Sequence, residues 1–218
     1  MNDNSRRAIL PPFPPEYRAS GLLLHVASLP SPYGIGDVGR AALAWIDRLH
    51  EAGQTWWQAL PLGPTGYGNS PYPGTRVLQF AFDGHPDNPY LPDNYIPNTV
   101  VYTGTHDNPT AREWYEELPD AQRRALWSYL KRPEGRGSDA APALMQLAWS
   151  SRAALAIAPL QDVLNLGTEA RMNVPGRAEG NWRWRCTEDT LTPAFQRLHD
   201  LTKTSDRAFF DSHRLPEG

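Results

Sequence analysis

The residues of this sequence that can do chemistry gather in segments following short apolar runs: Asp37, Tyr67, Asn69, Tyr72, Asp83, Asp107, Asp162 and Asn173. Carboxylates, amides and tyrosines with few cations among them compose a site for a neutral, hydroxyl-rich ligand. A sugar ring stacks its apolar face on an aromatic and needs fixed polar partners for its hydroxyl rim. The same residue types also populate ordinary exposed turns, so composition alone leaves both readings open. Other chemistries are easier to exclude. Lys131 and Lys203 are the only lysines, and neither lies in a G-x-x-x-x-G-K loop or at a strand end, which removes most ATP and pyridoxal chemistry. Histidines 25, 50, 85, 106, 199 and 213 form no i, i+3 or i, i+4 pair, and Cys186 stands alone. Neither a zinc-binding helix, a cysteine metal cluster nor an internal disulfide is expected, and no metal or cofactor is called for.

The formal net charge of −3 and a pI near 6.1 offer no basic field for a polyphosphate backbone, so nucleic acid is not an expected partner. With 40% hydrophobic and 11% aromatic residues the chain is too apolar for disorder and long enough to bury a substantial core. Arg6-Arg7 is followed by Ile9-Leu10 and at once by Pro11-Pro12, which leaves no apolar core of a signal peptide. No run approaches the roughly 18 apolar residues of a membrane span. The expected setting is the cytoplasm, away from membranes, and a single cysteine suits that reducing compartment.

The elements that must position these residues can be read from pattern. Residues 1–20 are polar and then proline-rich, an extended tail docking on the body. Gly21 to Ser28 is an unbroken apolar run, the pattern of a strand buried on both faces. Asp37 then caps a helix whose apolar positions are Val38, Ala42, Leu43, Trp45, Ile46 and Leu49, closed by Gly53. Thr55 to Leu62 is a second strand, completing a βαβ unit. After the loop Gly63 to Gly74, strands are expected at Arg76 to Asp83, Thr99 to Thr103 and Ala154 to Pro159. Asn108 and Pro109 have the N-cap and first-turn chemistry of a helix start. Helical patterning covers 114–118, 121–130, 143–153 and 191–201, and 204–218 reads as a loose tail. Such alternation predicts an α/β fold with a parallel sheet, whose ligands bind at the carboxyl ends of the strands.

The words of the sequence then carry a resemblance. The segment from Ser20 to Tyr72, containing GLLLHVASLPSPYGIGD and GPTGYGNSPY, closely resembles the opening of the 4-alpha-glucanotransferases, the amylomaltase or disproportionating-enzyme family of glycoside hydrolase family 77. From Pro73 onward, PGTRVLQFAFDG, NPYLPDNY, VVYTGTHDN, QDVLNLG, ARMNVPG and NWRWR resemble that family's C-terminal part. The resemblance implies transfer of α-1,4-glucan segments between maltodextrins by a retaining mechanism. It implies that Asp107 of the THDN motif is the transition-state stabiliser with His106 beside it, and that Tyr72, Asn108, Asn173 and Arg177 face the substrate.

The resemblance also implies a loss. Its two parts meet at Tyr72-Pro73, where a long middle portion of the family is expected, and that portion carries the nucleophilic aspartate and the acid/base glutamate. Neither a D-H-F-R-G nor an E-D-L-G type motif occurs here. A retaining transglycosylase needs one carboxylate to attack the anomeric carbon and another, about 5–5.5 Å away, to protonate the leaving oxygen. Asp83, on the neighbouring strand end, is the nearby carboxylate that would have to pair with Asp107. The chain is therefore expected to be inactive alone, the alternative being a non-catalytic α-glucan-binding or assembly module. By the same resemblance the fold is a partial (β/α)8 barrel retaining about five parallel strands in the order 6-7-8-1-2, within a domain spanning 21–203 (21–72 joined to 73–203). Its open edges and half-covered interior make a homodimer the expected assembly, and its glucan binding is expected to be weak.

Overall fold

The computed structural model describes residues 13, 17–30, 36, 38–59, 75–96 and 98–208. Five short strands, β1 (Ala19–Leu23), β2 (Trp56–Gln58), β3 (Thr75–Val77), β4 (Val100–Tyr102) and β5 (Leu155–Pro159), form one all-parallel sheet in the order β2-β1-β5-β4-β3. That is the expected 6-7-8-1-2 order, and the first and last strands of the chain's two parts pair directly, from Ala19 beside Leu155 to Leu23 beside Pro159.

The strands are shorter than the apolar runs that encode them. The run from Gly21 leaves the sheet after Leu23 and turns through a 3-10 segment at Val26–Ser28, where the His25 ring nitrogen Nδ1 accepts the Ala27 N–H at 3.1 Å. Likewise the third run leaves the sheet after Val77 and coils through Leu78–Phe80. Continuous apolarity marks burial rather than extension: Leu24, Val26 and Ser28 of the first run and Leu78, Ala81 and Phe82 of the third stay buried beyond the strand, while Phe80 turns outward.

Helices α1 (Arg40–Glu51), α2 (Ala111–Glu117), α3 (Asp120–Tyr129), α4 (Gly137–Ser150), the single turn α5 (Leu160–Val163) and α6 (Leu191–Thr204) cover the outer face. The two-residue alternation of the strands divides the interior. Leu22, Val101, Ala156 and Ala158 point outward into one core with Trp45 and Leu49 of α1, Trp114 of α2, Leu144 and Trp149 of α4 and Leu198 of α6. Ala19, Leu23, Val77, Val100, Tyr102, Leu155 and Ile157 point inward into a second cluster, where a closed barrel would carry its layered filling. Gly21 shares this inner face, and a Cβ there would collide with the backbone of Trp56 on the adjacent strand.

The inner cluster is not bare. Phe13 packs into it with only 4% of its surface exposed, stacks on Tyr17 (ring centroids 4.8 Å apart) and meets Trp56 edge-on at 6.1 Å. The Trp56 indole N–H donates to the Tyr17 hydroxyl at 2.7 Å. Phe13 and Tyr17 thus pack on the inner face of the open barrel.

At the amino ends of the strands, Arg207 is buried and donates to four carbonyls, those of Trp149, Ala19, Ser151 and Ala153, at 2.6–2.9 Å. Arg18 reaches Ser151 and Ser205 carbonyls from the other side. The first residues of the stretch read as a loose tail therefore lock the sheet's base. Another expectation fails on α1: Ala42, Trp45 and Leu49 are buried, whereas Val38, Leu43 and Ile46 are exposed, so the apolar stripe is wider than the face that the described residues cover. The expected cap Asp37, the outer part of the second strand and the loop to Gly74 lie outside the described residues.

Candidate functional site

The carboxyl ends of β1, β4 and β5 converge on one loop, residues 103–110, between β4 and α2. Its shape follows from short polar side chains. Asn108 Oδ1 accepts both the backbone N–H and the hydroxyl of Thr105, at 3.0 and 2.7 Å, and Thr105 Oγ1 accepts the Asp107 N–H at 3.3 Å. Asn108 was expected as the helix cap. Thr110 takes that post instead, its hydroxyl accepting the Glu113 N–H, because Asn108 is already spent closing the turn three residues earlier. Flanking elements hold the loop on both sides: Gln79, past β3, donates to the Pro109 carbonyl, and Asp162 of α5 binds Thr103 and the Ala111 N–H.

The loop presents His106 and Asp107. His106 Nε2 lies 3.3 Å from Asp107 Oδ2, and Asn173 Nδ2 donates to Asp107 Oδ1 at 2.5 Å. The two loops that carry the predicted residues thus meet at one carboxylate, 48% of whose side chain is exposed. Asn173 is itself braced, since Arg171 donates to its carbonyl and to Glu113 of α2. Arg177 takes no comparable part: its backbone shapes the turn closed by Asn181, and its side chain is exposed. Tyr72 lies outside the described residues.

Two members of the site were not foreseen. His25, just past β1, and His106 each place a ring 5.5 Å from the indole of Trp182. Burial pushes the His25 imidazole pKa below its ordinary value, helped by the nearby positive charge of Arg185 and by His106. The two-residue spacing of Trp182 and Trp184 in the sequence suits strand packing. No strand forms there: Trp182 adopts a left-handed backbone, φ 61°, with its N–H donated to the Met172 carbonyl at 2.7 Å. A bulky residue held in that conformation marks a position fixed by its surroundings. His25 had a legible signal, being a polar ring set inside the first apolar run, whereas Trp182 had none.

Asp83 and Asp162 complete the strand-end carboxylates. Asp83 is exposed and accepts the His85 N–H, a bond that lowers its pKa below the ordinary carboxylate range. Asp162 is buried, and desolvation raises its pKa to about 6 against the opposing effect of its bonds from Ala111 and Thr103. Between the loop and Gln161, Arg171 and Met172 lies a hollow of ≈ 10 Å³, room for about one water. Among the described residues no cluster of three His, Cys, Asp or Glu side chains could hold a metal ion. The arrangement can hold an exposed carboxylate, oriented by a histidine and an amide, beside an aromatic ring.

The 4-alpha-glucanotransferase family model matches residues 24–73 and 71–192, two segments meeting where the sequence reading placed the join. The 4-alpha-glucanotransferase of Thermus thermophilus is 45% identical over 141 residues, 62% of this chain and 28% of that protein. The Synechocystis 4-alpha-glucanotransferase is 50% identical over 121 residues, 55% of this chain and 24% of that one. The chain spans about a quarter of the length of these curated relatives. Among solved structures, the amylomaltase from Streptococcus agalactiae in complex with acarbose superposes with a TM-score of 0.58 at 27% identity, over 66% of this chain and 31% of that one.

Proposed function

This chain belongs to the 4-alpha-glucanotransferase family, glycoside hydrolase family 77, and from that premise we propose that it keeps the stabilising corner of the family's glucan site but cannot complete transfer alone. The observation that carries this reading is the company Asp107 keeps: a histidine, an asparagine and a threonine hydroxyl, with no second carboxylate beside it among the described residues. Retaining transfer needs a nucleophile and a separate acid with a raised pKa. Asp83 is exposed, and the His85 N–H it accepts lowers its pKa, the opposite of what the acid role needs. Asp162 has the raised pKa but only 1% exposure, with both oxygens engaged internally.

What remains is an Asp107 carboxylate beside His106 and Asn173, suited to stabilise positive charge at an anomeric carbon or to accept sugar hydroxyls. The ligand class is α-1,4-glucan or maltodextrin, bound weakly because few subsites contribute against the cost of association. The exposed Trp182 ring beside His106 favours the second reading, a non-catalytic glucan-binding module. A homodimer would pair through β2 and β3, the outermost strands of the sheet. Incubated with maltotriose, the purified chain should release no glucose above a blank, and maltoheptaose should bind with millimolar or weaker affinity by tryptophan fluorescence. Sustained turnover that Asp107→Asn abolishes would overturn the proposal.

A further inference from the structure

The loop bearing His106 and Asp107 leaves β4 at Thr103 and enters α2 at Ala111, and a single buried side chain from a different βα unit touches both of these ends. Asp162 Oδ2 accepts the Thr103 hydroxyl at 2.5 Å, while Oδ1 accepts the Ala111 N–H at 2.8 Å. Thr103 and Ala111 are both fully buried, so neither donor has water as a substitute partner. Asp162 is fixed in turn because it stands one turn past β5, whose Ile157 carbonyl also receives the Thr103 N–H at 3.2 Å. The bonds from Thr105 to Asn108 set the turn's shape; Gln79 holds it at Pro109 and Asn173 at Asp107, and Asp162 alone of these grips both of its ends.

We propose that Asp162 is a positioning residue, a buried clamp that grips both ends of the 103–111 loop and so sets where His106 and Asp107 stand over the strand ends. Its two acceptor oxygens fix the distance between the loop's feet, as one hydrogen bond could not. An asparagine can replace it, with Oδ1 accepting from Ala111 and Nδ2 donating to the Thr103 hydroxyl, whereas alanine leaves both buried donors unpaired. This inference rests on reading the Asp107 loop as glucan-facing, but its test requires no glucan, so failure to bind maltoheptaose would sink that reading and leave the clamp standing.

The test uses the full chain, labelled for NMR, as wild type, Asp162→Asn, Asp162→Ala and Thr103→Val. The chemical shifts of the His106 ring and of the Asn173 side-chain amide are followed together with amide hydrogen exchange along the backbone. In Asp162→Ala the amides of 104–111 should exchange at least about tenfold faster, relative to those of β1 and β5, and the His106 ring and Asn173 amide shifts should move. Asp162→Asn should restore both to wild type. Thr103→Val removes one of the two grips without changing side-chain shape, so it should give the same local acceleration in smaller measure and covers the case in which the alanine variant does not fold. The proposal is overturned if exchange accelerates uniformly along the chain while the His106 ring and Asn173 amide shifts stay put, or if Thr103→Val leaves residues 104–111 as protected as wild type.

Discussion

Removing the Phe13 ring tests what holds the inner face of this open barrel. The ring is 4% exposed, stacked on Tyr17 and edge-on to Trp56, and it covers the inward side chains of β1, β3, β4 and β5. Truncating a buried phenylalanine to alanine costs about 3–5 kcal/mol through lost transfer energy and the cavity left behind. About 1 kcal/mol of this comes from aromatic pair geometry. The segment can partly collapse onto the gap, so the low end, about 3 kcal/mol, is expected for Phe13→Ala. That is a large part of the roughly 5–15 kcal/mol stability of a typical domain. In urea, with a slope of about 3 kcal/mol per molar, the midpoint should fall by about 1 M. The same variant should bind an apolar dye and scatter as a heavier species at micromolar concentration, because Val77, Val100, Tyr102, Leu155 and Ile157 lose their cover. A loss below about 1 kcal/mol with no dye binding would show that the tail does not hold the inner face, and the argument from Phe13 burial would be wrong.

Two further perturbations probe the buried charges. Asp162 is raised to about 6 in the folded chain from an ordinary 3.8, so the folded state binds more protons in that window. The stability it contributes is present below about pH 4 and is lost as pH rises through 6, by about 3 kcal/mol in all. Asp162→Asn should remove this slope from denaturation midpoints measured between pH 4 and 7, and an unchanged slope would refute the assignment. Arg207→Met should cost about 3–5 kcal/mol, because four carbonyls at the sheet base lose their donor and the methionine tip cannot replace it. A variant with a midpoint near wild type would show that Arg207 does not lock the base.

Much of the architecture was legible because period and apolarity encode it. The βαβ unit, five strand-bearing runs and the helices between them follow from patterns imposed by burial, and the parallel order follows from the resemblance to a barrel whose last strand neighbours its first. Strand ends were less legible, since the runs at Leu24–Ser28 and Leu78–Phe82 stay apolar after leaving the sheet. The stripe on α1 misled for a related reason: Val38, Leu43 and Ile46 have the spacing of a core face, yet no described element covers them. At the site, Asp107 and Asn173 were named from motifs 66 residues apart, and the fold bonds them directly.

By itself, the sequence determined which chemistry is available here. It supplied one family carboxylate without the motifs of its partners, no phosphate-loop motif and an α/β scaffold, because residue types and local periodicity are properties of the chain alone. Only the tertiary structure decided what each group does. Asp83 and Asp162 look alike in sequence, but one meets water and a backbone N–H while the other is desolvated between two loop ends, which drives their pKa values in opposite directions. Likewise Phe13, Arg207 and Trp182 have no local pattern that announces a role. Each acts through groups distant in the chain, and such long-range contacts, which set burial and hydrogen bonding, exist only once the sheet has brought them together.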